Sequence, residues 1–252
     1  MIGIVGGVGP YAGLDLLKKI YDNTIANNDQ EHLDTLLLSM SSSINDRTKY
    51  LIGRVDENPA YAILKVLLKM EKIGVTVAGI PCNTAHSLGI FDVVETELRK
   101  AGSNLKLLNM VNETISLIAK EHPTISKIGI LSTTGTYKSG VYSKSLEAKG
   151  YNVILPTIEM QEELIQPSIY DEKYGIKSFS NPVTKEAINN LHIGAKYLKE
   201  NGAEIVILGC TEIPLAIPEK EINGMITIDP TNILARALIN NYAPSKLKGV
   251  EK

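Results

Sequence analysis

The sequence predicts an α/β protein of two similar α/β domains, each a parallel sheet flanked by helices, pseudo-symmetric and with its active site in the cleft between them. Three observations carry this expectation. Short runs rich in β-branched residues alternate with longer segments that are apolar at helical spacing, the pattern of strand–helix–strand units. The opening "IGIVGGVGPYAG" returns as "IGILSTTGTYKSG" from Ile128, so that Gly3, Gly9 and Tyr11 recur as Gly129, Gly135 and Tyr137 at one common offset. Finally, "GVTVAGIPC" (74–82) pairs with "GAEIVILGC" (202–210), and in both a glycine opens a buried strand that leads to a cysteine.

In chain order, strands are expected at 2–5, 35–40, 76–80, 106–110, 127–131, 152–155, 204–208 and 225–228. Between them "LDLLKKIYDNTIA", "AYAILKVLLKMEKIG" and "AINNLHIGAKYLKENG" are apolar at helical spacing and closed by Gly or Asn. No linker rich in Pro, Gly or Ser divides the chain, so the repeat sets the expected boundaries. Residues 1–110, with a C-terminal helix at about 230–252, form a first domain carrying Cys82; residues 111–229 form a second carrying Cys210.

The 252 residues suffice for one large core or two smaller ones. A formal net charge of −2 leaves no basic footprint for nucleic acid. The N-terminus lacks a basic n-region and no long apolar run occurs, so neither secretion nor a membrane partner is expected. Two cysteines in a chain of this length are not a disulfide framework, and a cytoplasmic protein with reduced thiols is expected.

Each cysteine stands at the carboxyl end of an expected parallel strand, where open α/β sheets build their sites. A lone cysteine there is often a small buried hydrophobe. Here each is handed to polar residues, Cys82 to Asn83 and Thr84, Cys210 to Thr211 and Glu212. Backbone N–H groups at such turns favour thiolate. Two facing halves would aim two thiols into one cleft, an arrangement suited to inverting a carbon that bears an acidic proton. One thiolate removes the proton and the other thiol replaces it from the opposite face.

The motifs "GIVGGVGP", "DRT" (46–48), "PCNTAH" and "GCTEIPL", with "DQEHLD" and "LSTTGTYKSGVY", resemble the aspartate/glutamate racemase family of cofactor-independent amino-acid racemases. The resemblance covers essentially the whole chain. It implies Cys82 and Cys210 as the catalytic acid–base pair, an amino-acid substrate (aspartate or glutamate), no cofactor and a homodimer. The "GCTE" motif is similar to the aspartate-racemase branch, whereas cell-wall glutamate racemases usually show "GCTH" and an early "DSGxGG". Val8 and Gly13 depart from the commoner "GGMGPxAT". The resemblance assigns Arg47 to substrate binding, against a solvated surface arginine. Lys173, in "SIYDEKYG", lies where some aspartate racemases place a lysine for the distal carboxylate, against a surface lysine.

Asn83, Thr84 and Thr211 offer short polar donors for the substrate's α-carboxylate and ammonium, or caps for the helices that follow. Thr133 and Thr136 sit in the second half's counterpart of the glycine loop, and Gly7 and Val8 in the loop itself, read as backbone lining the same cleft. Glu212 relays protons or holds the ammonium, while a carboxylate beside a thiol also raises the thiol pKa.

Other chemistries fit less well. His86 lies four residues after Cys82, which permits a Cys–His pair, but no oxyanion motif accompanies it. Neither cysteine belongs to a CxxC or HxxxH unit, which speaks against zinc, and no metal site is expected. The glycine loop resembles a dinucleotide fingerprint, yet the second strand runs into "MSSS" where an acidic residue is needed. No glycine-rich phosphate cup with a partnered lysine points to pyridoxal phosphate. The alternatives kept are a hydantoin racemase, maleate isomerase or decarboxylase using similar cysteines, and a non-catalytic amino-acid-binding module.

Overall fold

The computed structural model describes residues 1–249. Two compact units emerge, Met1–Glu113 together with the C-terminal segment from Thr231, and Thr114–Pro230. The first holds four strands, β1 (Ile2–Gly6), β2 (Thr35–Ser39), β3 (Val77–Gly79) and β4 (Lys106–Leu108). They lie in the order β2-β1-β3-β4 and all pairs are parallel. The second holds β5 (Lys127–Ser132), β6 (Asn152–Ile154), β7 (Ile205–Gly209), β8 (Glu221–Ile222) and β9 (Met225–Ile228). Its order is β6-β5-β7-β9-β8, parallel except for the β8–β9 pair.

The eight expected strands are therefore present within a residue or two of their expected ends, and the same arrangement, first strand between second and third, recurs in each unit. The two-residue β8 is the element not expected, because a strand this short has no period to read. β1 and β7 are buried along their whole length, as parallel strands covered on both faces require.

The helices are those the periodicity indicates. Pro10–Asp22, Ala60–Lys72 and Lys185–Glu200 each present one buried stripe, and Thr184 caps the last by accepting from the Ala187 N–H. In the first unit one core joins Ile63, Leu67 and Met70 to Ile90 and Phe91. On the other sheet face Ile2, Ile4 and Val77 meet Leu16, Ile20, Leu234 and Leu238. The C-terminal helix that completes this core runs Pro230–Tyr242, shorter than expected, because Pro244 follows; residues 250–252 of the expected helix lie outside the described residues. In the second unit Leu131, Val206 and Leu208 pack with Ile165, Leu191 and Leu198.

The repeated "IGI" has a packing cause. A Cβ at Gly3 would meet Val75 at 2.6 Å, and one at Gly129 would meet Leu198 at 3.0 Å and Ala203 at 3.1 Å. Each glycine thus lets the chain entering the third strand of its unit lie close against the first.

Candidate active site

The first unit presents Cys82 three residues beyond the end of β3. The Cys82 N–H donates to the Ile80 carbonyl (2.8 Å), and its own carbonyl accepts from Ala85 (3.1 Å), opening the short turn Asn83–His86. Cys82, Asn83 and Thr84 are buried. His86 Nδ1 donates to that same Cys82 carbonyl at 2.9 Å, and its ring stacks on Phe91 at 4.8 Å between centroids. Burial lowers the His86 pKa to about 4, against the opposing pull of the Cys82 and Leu108 carbonyls. The i,i+4 spacing therefore serves backbone anchoring: Nδ1–H is committed to a carbonyl, and the imidazole is neutral wherever a thiol would need a base.

Arg47 begins the helix Arg47–Leu51, which Asp46 caps by accepting from the Lys49 N–H at 2.7 Å. Its residue exposure is 6%, so it is not a solvated surface arginine. Its guanidinium donates to the Val8 carbonyl (2.5 Å) and the Asn45 carbonyl (3.1 Å), joining it to the glycine loop after β1. Gly7 in that loop has φ +81°, and a Cβ there would sit 2.5 Å from the Ser41 backbone nitrogen. Only glycine fits that approach. The first unit thus brings Arg47 and Val8 together at one loop.

The second unit presents Cys210 immediately after β7. Its thiol donates to Glu212 Oε2 at 3.0 Å, and the Thr211 hydroxyl donates to the same oxygen at 3.2 Å. Glu212 Oε1 accepts from Lys177 Nζ at 2.5 Å. Glu212 is almost fully buried, and the Lys177 side chain is 23% exposed, with its ammonium also 5.2 Å from the centre of the Tyr170 ring.

Burial, and then the Glu212 carboxylate, push the Cys210 thiol well above the ordinary cysteine range; Lys177 and the Glu212 backbone N–H oppose them and lose. The expectation of a thiolate-favouring turn is thus reversed at this cysteine. Burial pulls Lys177 down, but Glu212, with smaller help from Cys210 and Tyr170, outweighs it and holds the ammonium charged.

The lysine in this cluster is Lys177. Lys173 is exposed, and its backbone N–H donates to Asp171 Oδ1. A turn closed by Gly175 N–H to the Asp171 carbonyl (2.9 Å) folds the chain back, so that Ile176 and Lys177 donate to Ser168 and Ile169 (both 3.0 Å). That return lays Lys177 toward Glu212 and leaves Lys173 at the turn. Thr133 and Thr136 are buried and bonded to each other: the Thr136 N–H donates to Thr133 Oγ1 (3.3 Å), and the Thr133 hydroxyl donates to Thr136 Oγ1 (3.2 Å). Thr133 is the N-cap of Thr134–Ser139.

Among the described residues no group of three His, Cys, Asp or Glu side chains is placed to hold a metal ion, and no helix is long and apolar enough to cross a membrane. Sequence reasoning missed Lys177 and also Gln161, a buried glutamine beside Thr133 to which no motif points.

The two α/β units, alike in the order of their first three strands, each follow the third strand with a buried free cysteine. The Asp/Glu/hydantoin racemase family matches residues 5–238, and the chain belongs to that family, whose characterised relatives are isomerases. It is 32% identical over 248 residues to the broad specificity amino-acid racemase RacX of Bacillus subtilis, covering 96% of this chain and 98% of that one. The aspartate racemase of Picrophilus torridus superposes with a TM-score of 0.79 at 28% identity, covering 98% of this chain and 95% of that one. An aspartate racemase homologue from Pyrococcus horikoshii gives 0.71 at 26% identity, covering 95% and 97%.

Proposed function

We propose that the protein racemises an α-amino acid, aspartate or glutamate first among the substrates, without pyridoxal phosphate, by two-base proton transfer through Cys82 and Cys210. The observation that carries the reading is the Cys210 thiol held on Glu212 Oε2 at 3.0 Å. A protonated thiol with a raised pKa is prepared to deliver a proton, which leaves Cys82 to remove one.

In one direction the Cys82 thiolate takes the α-proton from one face of the substrate. The electron pair passes into the α-carboxylate, and the Cys210 proton reaches the carbon from the opposite face. The enzyme then holds thiol at 82 and thiolate at 210, and is reset by the reverse reaction or by exchange with water. Asn83, Thr84 and Thr211 supply donors to the carboxylate while charge develops on it. Arg47 anchors the loop of Gly7 and Val8 and supplies positive charge for a second carboxylate.

The test is α-proton exchange in deuterated water with the pure enantiomers of aspartate and glutamate, followed by a panel of neutral and basic amino acids, since the RacX relative is described as broad in specificity. Cys82→Ser and Cys210→Ser should each abolish racemisation. Each should retain exchange on one enantiomer only, and the two variants should prefer opposite enantiomers. Racemisation by either single variant at the rate of the unaltered protein would remove the two-base mechanism.

A further inference from the structure

The second unit contains a feature that the racemase reading does not use. Between the short helical segments Ile158–Met160 and Gln166–Tyr170, the residues Gln161–Ile165 form a π turn, with i→i+5 bonding. Gln161 is 1% exposed. Its Nε2 donates to the Ser132 carbonyl (3.0 Å) and to Thr134 Oγ1 (3.4 Å). Gln166 Oε1 accepts from the Thr134 N–H at 2.7 Å. Two glutamines from one helical stretch thus hold the same three-residue loop, the one that carries Thr133.

The π turn explains how both reach it. Residues five apart lie about 140° around an α-helix and face different sides. The i→i+5 turn brings them to one side. The amide orientation of Gln161 is fixed as well, since a flip would set its oxygen against the Ser132 carbonyl. Its Oε1 finds no hydrogen-bond partner among the described residues, a cost the fold accepts in order to place Nε2.

A second observation supports the turn as a built feature. Gly194 stands inside the helix Lys185–Glu200, where glycine is less favourable than alanine because it loses more backbone freedom. A Cβ there would meet Ile165 Cδ1 at 2.5 Å and Leu131 Cδ2 at 3.1 Å. The glycine makes room for the last residue of the π turn, directly behind the strand that leads into the Thr133 loop.

We infer that Gln161 and Gln166 are positioning residues that clamp the loop 132–134, so that the Thr133 and Thr136 hydroxyls stand preformed for substrate. That substrate role rests on the racemase reading; the clamp itself does not. The test is Gln161→Met, which keeps length and bulk but removes the amide, studied by amide hydrogen exchange without substrate and by steady-state kinetics. Exchange should accelerate at least about tenfold at 133–137 and remain unchanged in β5 and β7. KM should rise about tenfold with kcat within threefold, because the loop must then be ordered at the expense of binding.

Unchanged exchange at 133–137 would overturn the clamp. Faster exchange there with KM unaltered would overturn the positioning role. If Gln161→Met fails to fold, Gln166→Met, which removes only the acceptor for Thr134, takes its place with the same pattern expected. Should the unaltered protein racemise nothing, the exchange data still decide the clamp, so its failure and that of the racemase reading are told apart.

Discussion

The Cys210 thiol donates to Glu212 Oε2 over 3.0 Å, while the other oxygen of that carboxylate takes Lys177 Nζ at 2.5 Å. The carboxylate therefore stands between an acid that it keeps protonated and a cation that keeps it charged. Removing the cation or the carboxylate should move the thiol in opposite directions.

Glu212→Gln, in a Cys82→Ser background, should speed iodoacetamide alkylation of Cys210 at pH 8, because removing the carboxylate lowers the thiol pKa and leaves more thiolate to react. An unchanged rate would mean that burial alone sets the proton affinity of Cys210. The raised pKa also has a stability consequence. A group that binds its proton more tightly when folded contributes stability that is complete below its unfolded value, about 8.5, and is lost as pH rises toward the folded value. Melting temperature should therefore fall more steeply above pH 8.5 in the unaltered protein than in Cys210→Ala.

Lys177→Met should leave a buried carboxylate without its cation and cost about 3 kcal/mol, at the low end for a broken buried pair because Lys177 is partly exposed. Adding Glu212→Gln should recover part of that loss. Urea unfolding of the two single variants and the double variant measures the coupling; additive losses would show the pair to be independent.

His86 should remain neutral down to about pH 4. Its folded value lies below the unfolded value of about 6.5, so its stabilisation is present above pH 6.5 and is lost as pH falls through the folded value, roughly 3 kcal/mol in all. An NMR titration of its imidazole checks the value directly, and a midpoint near 6.5 would contradict the buried, carbonyl-bonded ring.

Gly7→Ala should destabilise the first unit by more than about 2 kcal/mol. The left-handed φ costs about 1–2 kcal/mol by itself, and the Ser41 backbone stands in the way of the added methyl group. Gly53→Ala is the control: its φ is also positive, at +74°, but a Cβ there meets nothing within 4 Å, so it should carry only the strain. Equal losses in the two variants would show that the close approach at Gly7 does not matter.

Much of this protein is decided by neighbours in sequence. β-Branched runs, helical apolar stripes and the doubled glycine and cysteine motifs are local patterns, and each of the eight expected strands appears where its pattern lies. The positions of Cys82 and Cys210 beyond the third strand of each unit follow from the same reading. Tertiary structure decided the rest. Lys173 and Lys177 are equivalent as letters, and only the return of the chain at Gly175 sends the second toward Glu212. Arg47 is buried with its guanidinium received by the carbonyl of Val8, 39 residues away, as well as by that of nearby Asn45, and composition does not reveal the distant partner. The protonated state of Cys210 depends on burial and on a carboxylate oxygen 3.0 Å away, and the Gln161 turn has a period that no sequence repeat announces. Local preference selects the elements; proton affinity and side-chain reach depend on distances that exist only once those elements have packed.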